Sequence, residues 1–230
     1  CLTEHFNTLE FKEMYLHLSE NSRREGDSLV TGALRIFPGM EIDIAEGGHI
    51  LAVGNIENIL NIYDRLSRHR EKENFLPFSS LMDLLSTYPV LKGAAHPFRS
   101  DGNIPSLPVE QLMRLDFLDL NGKDAANDRE LTEYLTYELA KKINKPAAGG
   151  SDTHQAAQYG TASTFFENDI TTVSELQSHM NAGQYHIKIH PEADFRVKAA
   201  ADIKRALKLI HALGGDYMSV LLNEKEKDSI

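Results

Sequence analysis

Short apolar runs alternate with amphipathic stretches along almost the whole chain, and this alternation limits the folds that the chain can adopt. The apolar runs have the composition of buried strands, whereas the stretches between them repeat their apolar residues every three or four positions, as helices do. Strands that alternate with helices form a mostly parallel sheet, either open or closed into a barrel. We therefore predict an α/β fold whose chemistry collects at the carboxyl ends of the strands.

The predicted elements follow from this periodicity and from the positions of glycine and proline. A first helix carries Phe11 to Leu18 on its apolar face, and SENSRREG is predicted to be its end and a loop, with Gly26 as the stop. The other predicted helices lie at 56–69, 78–88, 128–143, 172–183 and 197–215. Strands are predicted at 33–44, 49–54, 90–97, 115–121, 145–152, 161–166 and 184–190.

The composition excludes several classes of protein. Of 230 residues, 41% are hydrophobic and 25% charged, which is typical of one soluble globular domain. No apolar run is long enough to cross a membrane, and no signal peptide is visible. The single cysteine, Cys1, excludes an internal disulfide and fits a reducing compartment, so a cytoplasmic protein is expected. The oligomeric state stays open.

The net charge limits the partners of the protein. The chain carries 24 basic and 34 acidic residues, a formal charge of −10, and no Lys/Arg-rich block. A protein that grips nucleic-acid backbone needs a basic stripe, so nucleic acid is a possible but disfavoured partner. Two or three bound divalent ions would add about +4 to +6 in one cleft and reverse the sign locally for a phosphorylated substrate.

Histidine, aspartate and glutamate side chains interrupt the apolar runs where predicted strands end, and one histidine stands where a strand begins. These candidate metal ligands are His5, Glu41, His49, His96, Asp152 and His154. A lone buried histidine is more often a hydrogen-bonded core residue, but several such groups brought together are costly to bury without a shared cation. Imidazole and carboxylate without thiolate suit Zn, Mn or Fe(II).

The most specific single motif is GGSDTH at residues 149–154. Two glycines permit a tight turn at the strand end, and in extended backbone the two-residue spacing of Asp152 and His154 points both side chains to one side. An isolated S-D-x-H is equally compatible with a simple turn. The upstream AAHPFR, in which Pro97 directs the chain out of the strand after His96, favours the metal-site interpretation.

The ordered set LTEH, GMEID with GGHILAVG, GAAHPFR, LDLNG and GGSDTH resembles the polymerase and histidinol phosphatase (PHP) family from residue 1 to about 190. The resemblance implies a distorted (β/α)7 barrel with two or three divalent ions at its carboxyl-terminal mouth. It also implies phosphate-ester hydrolysis by a metal-bridging hydroxide. All six candidate ligands match family ligand positions, and Glu41 matches the bridging carboxylate.

Family members begin with an H-x-H strand and a further histidine, both of which precede the segment that LTEH resembles. We therefore expect the first strand and up to three ligands on an upstream segment of a longer protein; the alternative is an incomplete site. The PHP-like domain is assigned to residues 1–190. Residues 191–230 are predicted to be a helix and a polar tail packed on the same domain.

Three further residues are predicted to contact substrate. Arg99, three residues after His96, can offer its planar guanidinium to two phosphate oxygens, although a surface ion pair is the alternative. Asn121 and Lys123 follow the strand LDFLDLN, where Asn121-Gly122 is also a good turn. The remaining histidines are predicted to be structural or surface residues: His17, His69, His179, His186, His190 and His211.

Three functions are compatible with these patterns. The favoured one is a metal-dependent phosphatase of a small phosphorylated metabolite or nucleotide. The second is a 3'-5' exonuclease or phosphodiesterase on nucleic acid. The third is a catalytically inactive PHP-like module without a working metal set. Salt-sensitive oligonucleotide binding would distinguish the second, and absence of bound metal the third.

Overall fold

The computed structural model describes residues 1–100 and 102–216. Its strands are β1 Leu2–His5, β2 Arg23–Glu25, β3 Ser28–Thr31, β4 Leu34–Ile36, β5 Pro38–Asp43, β6 His49–Val53, β7 Leu91–Ala95, β8 Phe117–Asn121, β9 Ala147–Gly150, β10 Ala162–Phe166 and β11 Tyr185–Ile189. Its helices are α1 Phe11–Glu20, α2 Ile56–Arg65, α3 Phe78–Leu85, α4 Val109–Leu112, α5 Gly122–Asn127, α6 Arg129–Ile143, α7 Val173–Asn181 and α8 Ala193–Ala212.

Six strands form the central sheet in the order β1-β5-β6-β7-β8-β9. β1 and β5 are parallel, as are β7, β8 and β9, but β6 runs antiparallel to both of its neighbours. Because β6 is reversed, its first residue, His49, pairs with Asp43 at the end of β5 and with Ala95 at the end of β7. The sheet is therefore mixed, and its reversed strand still presents a histidine at the same edge.

A second, three-stranded antiparallel sheet is formed by β2, β3 and β4. The prediction that residues 19–26 are only a helix end and loop is therefore wrong over Arg23–Glu25. Gly26 lies in the β2–β3 turn with φ of 60°, and a Cβ there would lie 2.5 Å from the carbonyl oxygen of Thr171. A glycine permits both this conformation and the close approach.

The predicted strand at 33–44 is two strands, because the chain passes from the small sheet into the central sheet at Phe37. Such a switch between sheets is set by long-range pairing, which a run of apolar residues does not reveal.

The central sheet is anchored to α1 by the buried Tyr15. Its hydroxyl lies 2.6 Å from the carbonyl oxygens of Leu2 and Gly39 and accepts the Gly39 N–H at 3.0 Å. The ring packs against Phe11 in the core between the sheet and the outer helices. Burial raises the pKa of Tyr15 far above its usual range, so the phenol stays protonated. These contacts hold β1 beside β5, and so place the ends of both strands together.

The sheet curls into a half-barrel around a cavity of about 750 Å³. Apolar side chains, among them Phe37, Val53 and Phe117, line one part of it, and five of the six candidate ligands line its mouth: His5, Glu41, His96, Asp152 and His154. The remaining strand pair, β10–β11, lies against β9, where Thr164 Oγ1 accepts the Gly149 N–H at 2.7 Å. An α/β half-barrel is confirmed; a count of seven β/α units is not established by the described residues.

α8 packs through its first turns, where Ala193, Val197 and Ala200 are buried. The predicted polar tail at 223–230 lies outside the described residues. Within the part of the chain that the structure describes, no helix combines the length and the apolar character that a membrane crossing requires.

Candidate metal centre

Three side chains meet at the mouth of the half-barrel: Glu41 on β5, His49 on β6 and His96 directly after β7. One oxygen of Glu41, Oε1, lies 2.9 Å from His49 Nδ1 and 3.0 Å from His96 Nε2. The two ring nitrogens are 3.1 Å apart. Glu41 and His96 are buried and His49 is half-buried. The sheet register and the reversed β6 thus assemble three polar groups that are distant in sequence into one compact triangle.

The triangle has dimensions compatible with a divalent ion. Ligand atoms about 2.1 Å from one ion are about 3.0 Å apart at the right angles of octahedral coordination and about 3.4 Å apart in tetrahedral coordination. The three separations of 2.9, 3.0 and 3.1 Å are nearer to the octahedral value. Two imidazoles and one carboxylate match the donor set of Zn, Mn or Fe(II). A possible metal site at Glu41, His49 and His96 is therefore present.

His5 and Asp43 extend this cluster toward solvent. His5 Nε2 is 3.6 Å from Glu41 Oε2, and its Nδ1 is 4.0 Å from Asp43 Oδ2. Asp43 Oδ1 also lies 3.0 Å from His49 Nε2. Asp43 was missed by the sequence analysis, although the period of a strand places it on the same side as Glu41 two residues earlier. That spacing was the signal that could have found it.

The charges of this cluster shift the pKa values of its members. Burial opposes ionisation of Glu41, but hydrogen bonds from His49 and His96 and the charge of His5 outweigh it and hold the Glu41 pKa well below its usual range. Burial lowers the pKa of His49, yet its contacts with Asp43 and Glu41 dominate and raise it to about 9. Without metal, His49 is therefore protonated at neutral pH, and a cation at this place would displace that proton.

Asp152 and His154 lie in the loop after β9 and line the same cavity. His154 Nδ1 is 3.0 Å from the carbonyl oxygen of Asp152 and 3.5 Å from its Oδ1. The buried Gln158 holds this loop, since its Oε1 accepts the N–H groups of His154 at 2.9 Å and of Gln155 at 3.0 Å. The structure thus brings the six predicted ligands together at the mouth of the half-barrel. His5, Glu41, His49 and His96 form a compact cluster, and Asp152 and His154 form a separate pair.

The predicted substrate-contacting residues have different surroundings. Arg99 lies beside the pair, with its Nη2 2.6 Å from Asp152 Oδ2 and its Nε donating to Asp124 at 3.1 Å. Asn121 is buried and caps α5, and its Oδ1 accepts the N–H groups of Lys123 and Asp124. Lys123 itself is half-buried on α5 and does not line the cavity formed by the described residues.

Asp119, on β8 between the cluster and the pair, was also missed by the sequence analysis. It is buried and lines the cavity. Its Oδ2 accepts one hydrogen bond from the His96 N–H at 3.2 Å and another from Asn121 Nδ2 at 2.9 Å. Burial raises the pKa of this carboxyl group, against the lowering effect of these hydrogen bonds. The alternation Asp119-x-Asn121 at the end of a buried strand was the available signal.

The other histidines lie away from the cavity that the described residues form. His186 stacks on Phe165 on the outer face of β11, and His190 Nδ1 accepts the N–H of Glu192. His179 contacts the ring of Phe166 from α7.

Comparison with known proteins adds a family match and similar folds. Residues 135–185 match the family described as PHP-associated. No curated protein matches the sequence. The crystal structure of PsfC from Pseudomonas syringae PB-5123 is similar, with a TM-score of 0.73, 20% identity, and 90% of this chain and 83% of that chain covered.

Two endonuclease structures share the fold over part of their length. The lesion-specific endonuclease PfuEndoQ from Pyrococcus furiosus has a TM-score of 0.58 and 15% identity, with 80% of this chain and 48% of that chain covered. An Endonuclease Q complex with a 27-mer duplex substrate has a TM-score of 0.56 and 14% identity, with 82% and 50% covered. This chain therefore spans about half of each endonuclease chain, and the likeness at such identities concerns the fold.

Proposed function

We propose that this chain is a metal-dependent phosphoesterase of the PHP family. The observation that carries the proposal is the triangle of Glu41 Oε1, His49 Nδ1 and His96 Nε2, whose edges of 2.9 to 3.1 Å suit a divalent ion. A carboxylate that contacts two half-buried or buried imidazoles is expensive to assemble for stability alone, because each group loses its hydration. The favoured substrate is a small phosphorylated metabolite or nucleotide.

The ligands have different roles in this proposal. Glu41, His49 and His96 would hold one ion, His5 and Asp43 would extend the donor set on the open side, and Asp152 with His154 would supply further donors. We propose two or three ions of Zn, Mn or Fe. When bound, they lower the pKa of a water molecule and neutralise charge that develops on the phosphoryl group.

In this proposal Arg99, which lies beside the pair but is not itself among the residues that line the cavity, supplies a positive charge from the protein. Its Nε and Nη2 are hydrogen-bonded to Asp124, Asn121 and Asp152, and we assign Nη1 to a phosphate oxygen. A guanidinium held in this way loses little side-chain entropy when it binds the phosphate. The apolar part of the cavity excludes water beneath the reacting group.

Hydrolysis of a phosphodiester in nucleic acid is the second candidate. The fold shared with two DNA endonucleases favours it, whereas the formal charge of −10 disfavours a long contact with a nucleic-acid backbone. A barrel that holds no metal, and so has a non-catalytic role, is the remaining alternative.

The test is metal content and turnover on the full native chain. We expect two or three equivalents of Mn, Fe or Zn by elemental analysis, and hydrolysis of p-nitrophenyl phosphate that a chelator abolishes. His96→Ala should lose at least about 100-fold in kcat/KM, because it removes a ligand from the triangle. His186→Ala, which removes an imidazole from an outer strand, is the matched control and should keep full activity.

The same assay separates the candidates. Faster turnover of bis-p-nitrophenyl phosphate, together with oligonucleotide binding that weakens steeply with salt, would favour the nucleic-acid function. Absence of bound metal in the native chain would overturn the phosphoesterase proposal and leave the non-catalytic one.

A further inference from the structure

Two candidate ligands have a backbone conformation that L-residues rarely adopt. His96 has φ of 29° at the end of β7, and Asp152 has φ of 50° after β9. Of the other non-glycine residues with positive φ in the described chain, Asn144 ends α6, where this conformation is common, and Glu10 directly precedes α1. Such residues are sterically disfavoured and persist only where their surroundings impose them. His96 and Asp152 do not cap a helix, so other contacts must impose the positive φ there.

One continuous path of hydrogen bonds connects these two residues. The His96 N–H donates to Asp119 Oδ2 at 3.2 Å, and Asn121 Nδ2 donates to the same oxygen at 2.9 Å. Asn121 Oδ1 in turn accepts Arg99 Nη2 at 3.0 Å, and the same Nη2 donates to Asp152 Oδ2 at 2.6 Å. The path therefore runs from the compact cluster, through the end of β8, to the separate pair.

The middle of this path is buried in the sheet. Asp119 is 7% exposed and Asn121 is 2% exposed, on the strand that lies between β7 and β9. On β9, a Cβ at Gly150 would lie 2.9 Å from Asp119 Oδ1, so the glycine lets this strand approach the carboxylate closely. β8 carries none of the six predicted ligands. The buried side chains of Asp119 and Asn121 therefore lie close to the candidate metal ligands, but neither is one of the six predicted ligands.

We infer that Asp119 and Asn121 are positioning residues that fix His96 and Asp152 relative to each other for metal binding. This inference rests on the proposed function. Asn121 cannot rotate freely, because its Oδ1 also accepts the N–H groups of Lys123 at 3.0 Å and Asp124 at 3.2 Å. Its amide therefore has one orientation, with the oxygen toward α5 and Arg99 and the nitrogen toward Asp119. We assign Asn121 this role in place of the predicted substrate contact.

Both hydrogen bonds end on one oxygen of Asp119, and this makes a sharp test possible. Asp119→Ala removes the oxygen that accepts from the His96 N–H and from Asn121 Nδ2, and so should loosen His96. Asp119→Asn, in contrast, can place its amide oxygen at the Oδ2 position and accept both hydrogen bonds, so it should hold His96 as Asp119 does.

The measurement is the affinity for Mn²⁺ by isothermal titration, together with the EPR spectrum of bound Mn²⁺ and thermal unfolding, on the full chain. We expect D119A to weaken Mn²⁺ binding about tenfold or more, as loss of a hydrogen bond behind a ligand does. D119N should stay within about threefold of the wild type and keep its EPR spectrum. A purely structural role would move the unfolding temperature of D119A without changing its Mn²⁺ affinity.

Asp116→Ala is a matched control at the other end of the same strands. Asp116 Oδ2 accepts the Lys92 N–H of β7 at 2.9 Å, and its Oδ1 accepts the side-chain amide of Gln177 at 3.0 Å. It therefore makes contacts like those of Asp119 but away from the mouth. D116A should leave Mn²⁺ affinity unchanged.

The outcomes separate this inference from the proposed function. If the wild type binds Mn²⁺ and D119A binds it equally well, or if D119N is as weak as D119A, the positioning role is wrong while the metal site stands. If the wild type binds no Mn²⁺, the proposed function is wrong and the inference falls with it.

Discussion

The compact cluster on β5, β6 and β7 and the pair after β9 are built in different ways. In the cluster, Glu41, His49 and His96 touch each other directly, and neighbouring strands of one sheet determine their separations. The pair, Asp152 and His154, sits in a loop and is held by groups outside the sheet, chiefly Arg99 and Gln158. The first arrangement is assembled by backbone pairing, whereas the second depends on side chains that position a loop.

This difference predicts how each region responds to change. Glu41 and His49 lie within paired strands and keep their geometry when one neighbour is altered, so a substitution there removes a ligand and little else. His96 follows the end of β7 and depends in addition on Asp119. Ligands on a supported loop lose geometry when the support is removed, even though the ligand itself is intact.

The largest effect is expected for Glu41→Gln. This change removes the negative charge at the centre of the cluster, which contacts His49 and His96 and lies near His5, so Mn²⁺ affinity should fall by at least about 100-fold. His154→Gln, in the more exposed pair, should cost only about tenfold. Titration calorimetry on both variants measures the contrast, and equal losses would show that the two regions do not differ in the way described.

An intermediate effect is expected from pH on the metal-free protein. The His49 pKa is raised from 6.5 to about 9, so its contribution to stability is fully present below about pH 6.5 and is lost as the pH rises through 9. The contribution is on the order of 1–3 kcal/mol, since one pKa unit corresponds to about 1.4 kcal/mol. Glu41 acts in the opposite sense, because its lowered pKa stabilises the fold above about pH 4.5 and this effect disappears toward acid.

The check is thermal unfolding of wild type and His49→Gln between pH 6 and 10 in the presence of a chelator. The stability difference should shrink as the pH rises through about 9. A difference that stays constant over this range would exclude a protonated His49. In the same pH range, Mn²⁺ binding should release a proton, which calorimetry in buffers of different ionisation enthalpy detects.

The smallest effect is expected for Gln158→Ala. Loss of the side chain removes the acceptor for the N–H groups of His154 and Gln155, so the loop should loosen and Mn²⁺ affinity should fall about three- to tenfold. Gln158→Glu keeps the accepting oxygen and should stay close to wild type. If the alanine variant binds as tightly as wild type, the pair does not depend on this support.

Much of the fold was predictable because its signals are local. The helix at 128–143 and the strand at 115–121 are close to α6 and β8, since periodicity and terminating glycine or proline act within a few residues. The hairpin at Arg23–Thr31 was missed, because it is short, charged at its start and stabilised by docking on Thr171. Its pairing depends on contacts that no local pattern contains.

The residues of the candidate site were predictable to a similar extent. The residue types and their places at strand ends identified the histidines and carboxylates that meet at the mouth. Asp43 and Asp119 were missed, although each lies two residues from a residue that was identified, because a charged side chain on a strand is more often solvated than functional. Only the packed sheet shows that Asp43 contacts His49 and that Asp119 is buried and lines the cavity.

The sequence by itself determined which side chains could bind a metal and that strand ends would carry them, because strand period and residue chemistry are properties of a short segment. The tertiary structure alone decided which of them meet. The reversal of β6 brings His49 to Glu41 and His96, and the Arg99–Asp152 contact joins residues separated by 53 positions in the chain. Both depend on strand order and register, which arise from packing of the whole sheet rather than from any one segment.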